Sequence, residues 1–279
     1  MKLKPLLLAV VCCGFAGNAM ADDTVALSAT PAAVQKTIQA HIGDGTMGEI
    51  DKSPSDEEII YDVSLTAKDG SDRDFSVAQD GTLLNVEVSL AEIPADAQKT
   101  VRAELAGGTL ESIDKNLADS EISYDVEGTN QDGIEKDFTV ADDGAILSME
   151  LPLEKTPDAV QKTISSQLKG STITDIEENF DEDGTNFDIN VTALDGNATS
   201  FNVQAGGTLA SVRVPLADVP PAARRTIKAH IGDGTVLRVD RSYVKEKGVN
   251  PFDIEGRKDG KPFDFSVGPR GRFLGMNTE

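Results

Sequence analysis

The string PAAVQKTI at residues 31–38 decides the fold, because it returns as PADAQKTV at 94–101, PDAVQKTI at 157–164 and PPAARRTI at 220–227. The prolines that open these strings are 63 residues apart. A fixed period of this length is the signature of a tandem repeat. We therefore predict four sequence repeats, at residues 31–93, 94–156, 157–219 and 220–279.

Each repeat opens with a helical pattern. In repeat 1, Val34, Ile38 and Ile42 recur every fourth residue and form one apolar stripe. Thr30 is predicted to cap this helix, with Pro31 in its first turn, and Gly43 to end it in a left-handed conformation. A helix of about a dozen residues is marginal alone in water, so it needs a sheet to pack on.

The sheet follows the helix. A first strand is marked by Ile50, Ile113, Ile176 and Val239 in the four repeats. In repeat 1, alternating apolar residues mark three more strands, around Tyr61–Leu65, Phe75–Val77 and Leu84–Leu90. The predicted fold class is α+β, in which each of four tandem units is one short helix packed on a four-stranded antiparallel sheet. The other face of the sheet is expected to meet water.

The alternation also predicts the turns. Pairing Tyr61 with Val77 and Val63 with Phe75 leaves 68–70 as a three-residue loop that ends in glycine. In repeat 4, pairing Phe252 with Val267 and Ile254 with Phe265 leaves only Asp259-Gly260. The last hairpin of every repeat is predicted to have two residues: Asp80-Gly81, Asp143-Gly144, Gly206-Gly207 and Arg270-Gly271.

Residues 1–21 are typical of a signal peptide. Lys2 and Lys4 precede a short apolar run, and Ala19-Met20-Ala21 is a small-residue cleavage site. The run is too short to span a bilayer as a helix. We predict cleavage after Ala21, a periplasmic or secreted location with no membrane insertion, and a linker at residues 22–30. Both cysteines lie in the leader, so no disulfide is expected.

The charge is unevenly distributed. A net charge of −22 argues against nucleic acid and anionic membrane as partners. The four repeats carry −9, −10, −7 and +4 in chain order, from 4, 5, 3 and 12 basic against 13, 15, 10 and 8 acidic residues. The basic residues of repeat 4 either dock on the acidic repeats or form a separate partner surface. The candidates for partner binding are Arg238, Arg241, Lys245 and Lys247.

The sequence contains little evidence of a catalytic site. The predicted mature chain lacks cysteine, and His41 and His230 occupy equivalent positions that hold Glu104 and Gln167 in the other repeats. A polar surface position explains this set; a metal site shared by the two histidines is the alternative. Most enzymes that pair a nucleophile with a general base need a histidine or a cysteine in a defined arrangement. We predict a protein that is not an enzyme, with no catalytic residues and no cofactor.

Recurring aspartates provide weak metal candidates. Asp51, Asp62 and Asp74 recur as Asp114, Asp125 and Asp137, and neighbouring carboxylates on one face could bind Ca²⁺. Repeat 3 has Ser200 in the third position, which weakens the set. A solvated acidic face is the simpler interpretation, and no metal site is predicted.

The motifs resemble a known family. A glycine pair before a strand (Gly107-Gly108), an aromatic-Asp-Val strand (124–126), a Phe-x-Val strand (138–140) and an Asp-Gly hairpin (143–144) are similar to the PepSY domain and its relatives of the beta-lactamase-inhibitor-like fold. The resemblance implies this fold in all four repeats. It also implies an exported protein that binds or restrains peptidases and has no catalytic residues.

Two functional hypotheses follow. In the first, an exported binding protein contacts a protein partner, such as an exported peptidase, through its strand 1–2 loops and exposed sheet faces. In the second, an acidic cation-binding or structural protein of the cell envelope uses its carboxylates.

Overall fold

A computed structural model describes residues 23–54, 59–68, 70–117, 121–181, 184–245, 248–258 and 261–276. The predicted signal peptide, Asp69, Lys247 and the Asp259-Gly260 turn lie outside the described residues. The chain divides into two compact units on either side of Met149 and Glu150. This division falls within the last strand of repeat 2, a few residues before the predicted repeat boundary.

Four α-helices lie in the described residues, one at the start of each sequence repeat: α1 Ala32–Ile42, α2 Ala95–Leu105, α3 Asp158–Leu168 and α4 Pro221–Ile231. In α1 the predicted stripe is buried, with Val34 and Ile38 both 0% exposed. The predicted cap by Thr30 is wrong. A 3-10 turn at Leu27–Ala29 precedes the helix, and the Thr30 hydroxyl donates to the Leu27 carbonyl at 2.9 Å instead.

The first unit contains one antiparallel sheet whose strands pair in chain order. Its described strands are β1 Asp23–Thr24, β2 Thr46–Pro54, β3 Ile59–Thr66, β4 Asp72–Ala78, β5 Leu83–Glu87, β6 Thr109–Asn116, β7 Ser123–Thr129, β8 Glu135–Ala141 and β9 Ile146–Glu150.

The second unit repeats this arrangement, again with antiparallel pairing in chain order. Its described strands are β10 Thr172–Asp181, β11 Gly184–Thr192, β12 Ala198–Gln204, β13 Leu209–Arg213, β14 Thr235–Ser242, β15 Phe252–Lys258, β16 Lys261–Val267 and β17 Phe273–Met276.

Neighbouring repeats share backbone hydrogen bonds, which the sequence did not predict. In the first unit, β5 pairs with β6, and the Val88 N–H donates to the Ile113 carbonyl at 2.8 Å. In the second unit, β13 pairs with β14, and the Val214 N–H donates to the Val239 carbonyl at 2.9 Å. We call these two junctions the first seam and the second seam. Each seam pairs two strands that would otherwise be sheet edges with unpaired backbone groups.

The predicted strand registers are confirmed. Tyr61 lies opposite Val77 and Val63 opposite Phe75, while Phe252 lies opposite Val267. The two-residue final hairpins are wrong. The Ala78 N–H donates to the Thr82 carbonyl and the Gly81 N–H to the Ala78 carbonyl, both at 2.8 Å, so three residues form the loop. A bulge after Ser76 absorbs the extra residue.

The glycine of each final hairpin also helps to hold the helix of its repeat in position. Gly144 has φ +83°, and an added Cβ would lie 2.7 Å from the Asp96 carbonyl oxygen of α2. The Thr100 hydroxyl donates to the Gly144 carbonyl at 2.7 Å. Equivalent threonines donate to glycines 81, 207 and 271 in the other repeats. Only glycine permits both this backbone conformation and this close approach.

The two faces of each sheet differ in chemistry. One face packs under the helices, where each helix and its strands form one hydrophobic cluster. The opposite face, which we call the polar face, was expected to meet water, and this is wrong in part. Small polar residues on it are buried, including Ser76, Asn85, Thr139, Ser148, Ser200 and Ser266. Four of them make hydrogen bonds on this face, because Ser76, Thr139 and Ser266 donate to carboxylates and Asn85 accepts from the Ser76 N–H.

Candidate functional site

In each repeat, the end of the first strand and the start of the second lie next to each other at one end of the sheet. In the second unit, the Ala205 N–H donates to the Thr185 carbonyl at 3.1 Å and the Tyr243 N–H to the Ala210 carbonyl at 2.7 Å. These bonds align the start of β11, the β12–β13 hairpin and the end of β14. We call this end of each sheet the loop end.

Large apolar side chains are exposed at the loop end of the second unit. Phe180 is 40% exposed at the end of β10, and Tyr243 and Val244 are 39% and 48% exposed just after β14. Strands β10 and β14 are four strand spacings apart, or about 19 Å at about 4.8 Å per strand. The exposed side chains therefore span a distance typical of a protein-binding patch.

The local structure holds Tyr243 in place. Its N–H is hydrogen-bonded to Ala210, and the Arg241 guanidinium lies 5.2 Å from the centre of its ring. The Ser242 hydroxyl donates to the Val244 carbonyl at 3.0 Å and also accepts from the Val244 N–H at 3.2 Å. An aromatic side chain held in this way loses little conformational entropy when it binds.

The first unit has a similar but purely apolar pair at its loop end. Leu117 and Ile122 are 37% and 38% exposed, and they directly follow the last register pair of β6 and β7, Asn116 with Ser123. Their strands run antiparallel, so the two side chains lie on the same face at facing positions. At the opposite end of the sheets, the exposed Ile134 and Leu194 occur singly in separate hairpins.

The predicted basic candidates separate into two groups. Arg241 and Lys245 are exposed on the β14–β15 side of the loop end. Arg238 lies on the polar face, where its Nε donates to the Asp240 carboxylate at 2.5 Å and its side chain is 22% exposed. The charge of Arg238 is therefore neutralised by a carboxylate of the same repeat, and the docking of repeat 4 on the acidic repeats stays a prediction.

Equivalent carboxylates on the polar face accept equivalent hydrogen bonds. Ser76, Thr139, Asn202 and Ser266 donate to Asp62, Asp125, Asp188 and Asp253 at distances of 2.6, 2.7, 2.9 and 2.6 Å. Burial raises the pKa of Asp125 and Asp188, although these hydrogen bonds oppose the shift. The bonds explain how a row of aspartates is accommodated on a partly buried face.

The calcium candidates lie on this face in cross-strand rows. Asp51 faces Asp62, and Asp114 faces Asp125, while Asp74 and Asp137 face Ser64 and Glu127. Among the described residues, no three acidic, histidine or cysteine side chains come close enough together to hold one metal ion. Cation binding stays the alternative hypothesis.

Each histidine makes local contacts. Nδ1 of His41 donates to the Thr37 carbonyl and Nδ1 of His230 to the Thr226 carbonyl, both at 2.9 Å. His230 also stacks on Phe273 with ring centres 4.1 Å apart. These contacts on the last helical turn agree with the surface interpretation of both positions.

A shallow pocket of about 270 Å³ lies beside His41 in the first unit. The buried Leu65 and Phe75 are apolar residues of its lining, and Asp44, Lys68 and Arg73 are charged ones. None of the residues that line it is a serine, threonine or cysteine. It therefore offers no nucleophile of the usual hydroxyl or thiol type.

The sequence interpretation missed the exposed apolar residues at the loop end: Leu117, Ile122, Phe180, Tyr243 and Val244. A signal was present, because these residues continue the strand pattern past the point where the helix can cover it. It was hidden because an apolar residue near a loop is usually part of the core.

None of the described helices is long and apolar enough to cross a bilayer.

Comparisons with known proteins give partial similarity only. No family model and no curated protein matches the chain. A DUF2874 family protein from Bacteroides ovatus is 15% identical with a TM-score of 0.34, over 44% of this chain and 86% of that one. A BLIP-like protein from Bacteroides fragilis is 20% identical with a TM-score of 0.30, over 42% and 82%. A periplasmic protein from Bacteroides thetaiotaomicron, proposed to be calcium-regulated, is 13% identical with a TM-score of 0.29, over 46% and 95%.

Proposed function

We propose that this chain is an exported binding protein without catalytic activity, and that its target is another protein. The observation that carries the proposal is the loop end of the second unit, where Tyr243 and Val244 are exposed on a hydrogen-bonded backbone beside Arg241. The proposed export rests on residues 1–21 of the sequence.

The composition of this patch supports protein binding. Tyrosine and arginine are enriched among the residues that contribute most to protein–protein affinity, while the surrounding contacts mainly exclude water. Phe180 adds a second apolar contact on the same unit. Arg241 and Lys245 favour a target surface on which an apolar pocket is flanked by carboxylates.

An exported peptidase is the first class of target to assay, on the strength of the PepSY resemblance. Binding at the loop end would restrain the enzyme by covering its substrate cleft. The inhibition would then be reversible and stoichiometric, because the proposal involves no covalent step.

The test is capture of partners from the envelope and secreted fractions of the producing cell, with the full chain as bait. A variant carrying Tyr243→Ser and Val244→Ser is compared with a control carrying Ile134→Ser and Leu194→Ser at the opposite end of the sheets. We expect a stoichiometric partner to be retained by the parent and the control. Its affinity for the loop variant falls at least about 30-fold, as expected for loss of a major contact.

Equal retention by both variants would exclude the loop end as the binding site. Calorimetric titration with calcium chloride gives an independent check, because micromolar binding near one ion per acidic repeat would favour the cation-binding hypothesis. Turnover of a hydrolase or redox substrate by the purified chain would refute the proposal as a whole.

A further inference from the structure

The first seam places carboxylates opposite one another. Glu87 on β5 lies opposite Asp114 on β6, and Asp114 lies opposite Asp125 on β7. All three are on the polar face and partly buried. Like charges at directly facing positions of an antiparallel sheet are destabilising.

Every strand packed beside Asp114 adds negative charge. Asp74 approaches from β4, where its N–H donates to the Glu87 carboxylate at 3.1 Å, and Glu127 approaches from β7. The basic residues of these strands lie on the helix side. Lys115 faces Tyr124, and Lys136 is 3.3 Å from Glu104 of α2. Arg73 of β4 is ion-paired to Glu92, and its charge only partly offsets that of Glu87.

The directions of the pKa shifts agree with this geometry. Burial, followed by repulsion from Glu87 and Asp125, raises the pKa of Asp114 to about 6. Burial likewise raises the pKa of Asp74 and Glu87. A carboxyl group that binds protons more tightly in the folded state favours folding at low pH. This contribution is lost as the pH rises through the folded pKa.

We infer that the first seam is a proton-sensitive junction between repeats 1 and 2. Protonation of one carboxyl group of the Glu87–Asp114 pair removes the repulsion across β5 and β6, and the seam then opens less often. Deprotonation restores the repulsion and loosens the seam, while the apolar clusters on the other face hold each repeat folded.

The second seam is a built-in control. Its positions equivalent to Glu87 and Asp114 hold Arg213 and Asp240, which also face each other. The facing charges are opposite in sign, so protonation does not relieve a repulsion between these two facing residues. The Val88 and Leu117 amides donate across the first seam, and the equivalent Val214 and Tyr243 amides donate across the second.

Hydrogen exchange of these four amides in the full chain, between pH 5 and pH 8, tests the inference. After correction for intrinsic exchange rates, we expect protection of Val88 and Leu117 to fall about tenfold relative to Val214 and Tyr243 as the pH rises. A larger fall is not expected because the Asp114 carboxylate is partly exposed to solvent. The Asp114→Asn variant should remove this difference.

Equal pH dependence at the two seams would overturn the inference, as would persistence of the difference in Asp114→Asn. Glu87→Gln is the second variant, because it removes the repulsion while leaving Asp114 in place. Carboxyl-carbon NMR of the parent should show Asp114 titrating near pH 6. In Glu87→Gln the midpoint should fall, and an unchanged midpoint would contradict repulsion across the seam.

Discussion

The two seams use one backbone arrangement with opposite electrostatics. In the first seam Asn85, Val86 and Glu87 pair with Asn116, Lys115 and Asp114. In the second seam Ser211, Val212 and Arg213 pair with Ser242, Arg241 and Asp240. The register and the central valine are shared, so apolar packing and backbone hydrogen bonds are sufficient to form the junction. The charged positions are therefore free to differ, and they give each seam its own response to pH and substitution.

The largest expected effect of a single substitution comes from Arg238→Met. Arg238 is the cation nearest the Asp240 carboxylate, whose side chain is 11% exposed and whose Oδ1 has no hydrogen-bond partner among the described residues. Removing one partner of a buried ion pair leaves an uncompensated charge. We expect a loss of about 2–4 kcal/mol in unfolding free energy at pH 7, measured by urea denaturation.

Two further variants make the Arg238 experiment specific. Ser112 occupies the equivalent position in repeat 2, so Ser112→Ala should change stability by less than about 0.5 kcal/mol. The double variant Arg238→Met with Asp240→Asn should recover most of the loss, because neither charge then remains. A single variant as stable as the parent would mean that the ion pair is not a stabilising feature of the second seam.

Exchanging one charge between the seams has a smaller expected effect. Glu87→Arg gives the first seam the charge pair of the second, and Arg213→Glu does the reverse. At pH 7 we expect the first change to stabilise its unit by about 0.5–1 kcal/mol and the second to destabilise its unit by about 1 kcal/mol, measured by denaturant titration. Changes of the same sign in both variants would show that packing, rather than charge, separates the seams.

The sequence predicted the features that depend on local alternation. The helix stripe of Val34 and Ile38 and the pairing of Tyr61 with Val77 follow from the two periodicities of helix and strand. The final hairpins were predicted wrongly because the bulge after Ser76 shifts the alternation by one residue, and no residue type in the pattern announces it. The Thr30 cap failed because a 3-10 turn competed for the threonine hydroxyl.

The sequence pattern could not predict the seams or the loop-end patch, for a different reason. Pairing of β5 with β6 depends on two strands whose residues are separated by a whole helix, and nothing in either strand specifies its neighbour. The basic character of repeat 4 was evident, but the sequence did not separate the role of Arg238 from that of Arg241. Arg238 and Arg241 lie on opposite faces of the sheet. Assigning each one to its face requires knowing where the β14 bulge lies, which is between Val236 and Arg238.

The smallest expected effect is in the linker after β5. Arg73 makes an ion pair with Glu92 at 3.0 Å, and Glu92 also accepts from the N–H of Ser89 at 2.8 Å. The positions equivalent to Arg73 and Glu92 near the second seam hold Thr199 and Asp218, so Arg73→Thr gives the first linker the residue of the second. The pair is partly exposed, so we expect a loss of only about 0.5 kcal/mol at pH 7 in denaturant titrations.

The pH dependence of this ion pair separates it from the carboxylates of the first seam. The hydrogen bond from Ser89 and the contact with Arg73 lower the pKa of Glu92 to about 2. Because this folded-state pKa lies below the ordinary value, the stabilisation is present above about pH 4.5 and is lost as the pH falls toward 2. The difference between parent and Arg73→Thr should therefore shrink on acidification, while protonation of Asp114 tightens the seam over a higher pH range. A difference that stays constant from pH 7 to pH 3 would assign the effect of Arg73 to packing of its aliphatic stem rather than to its charge.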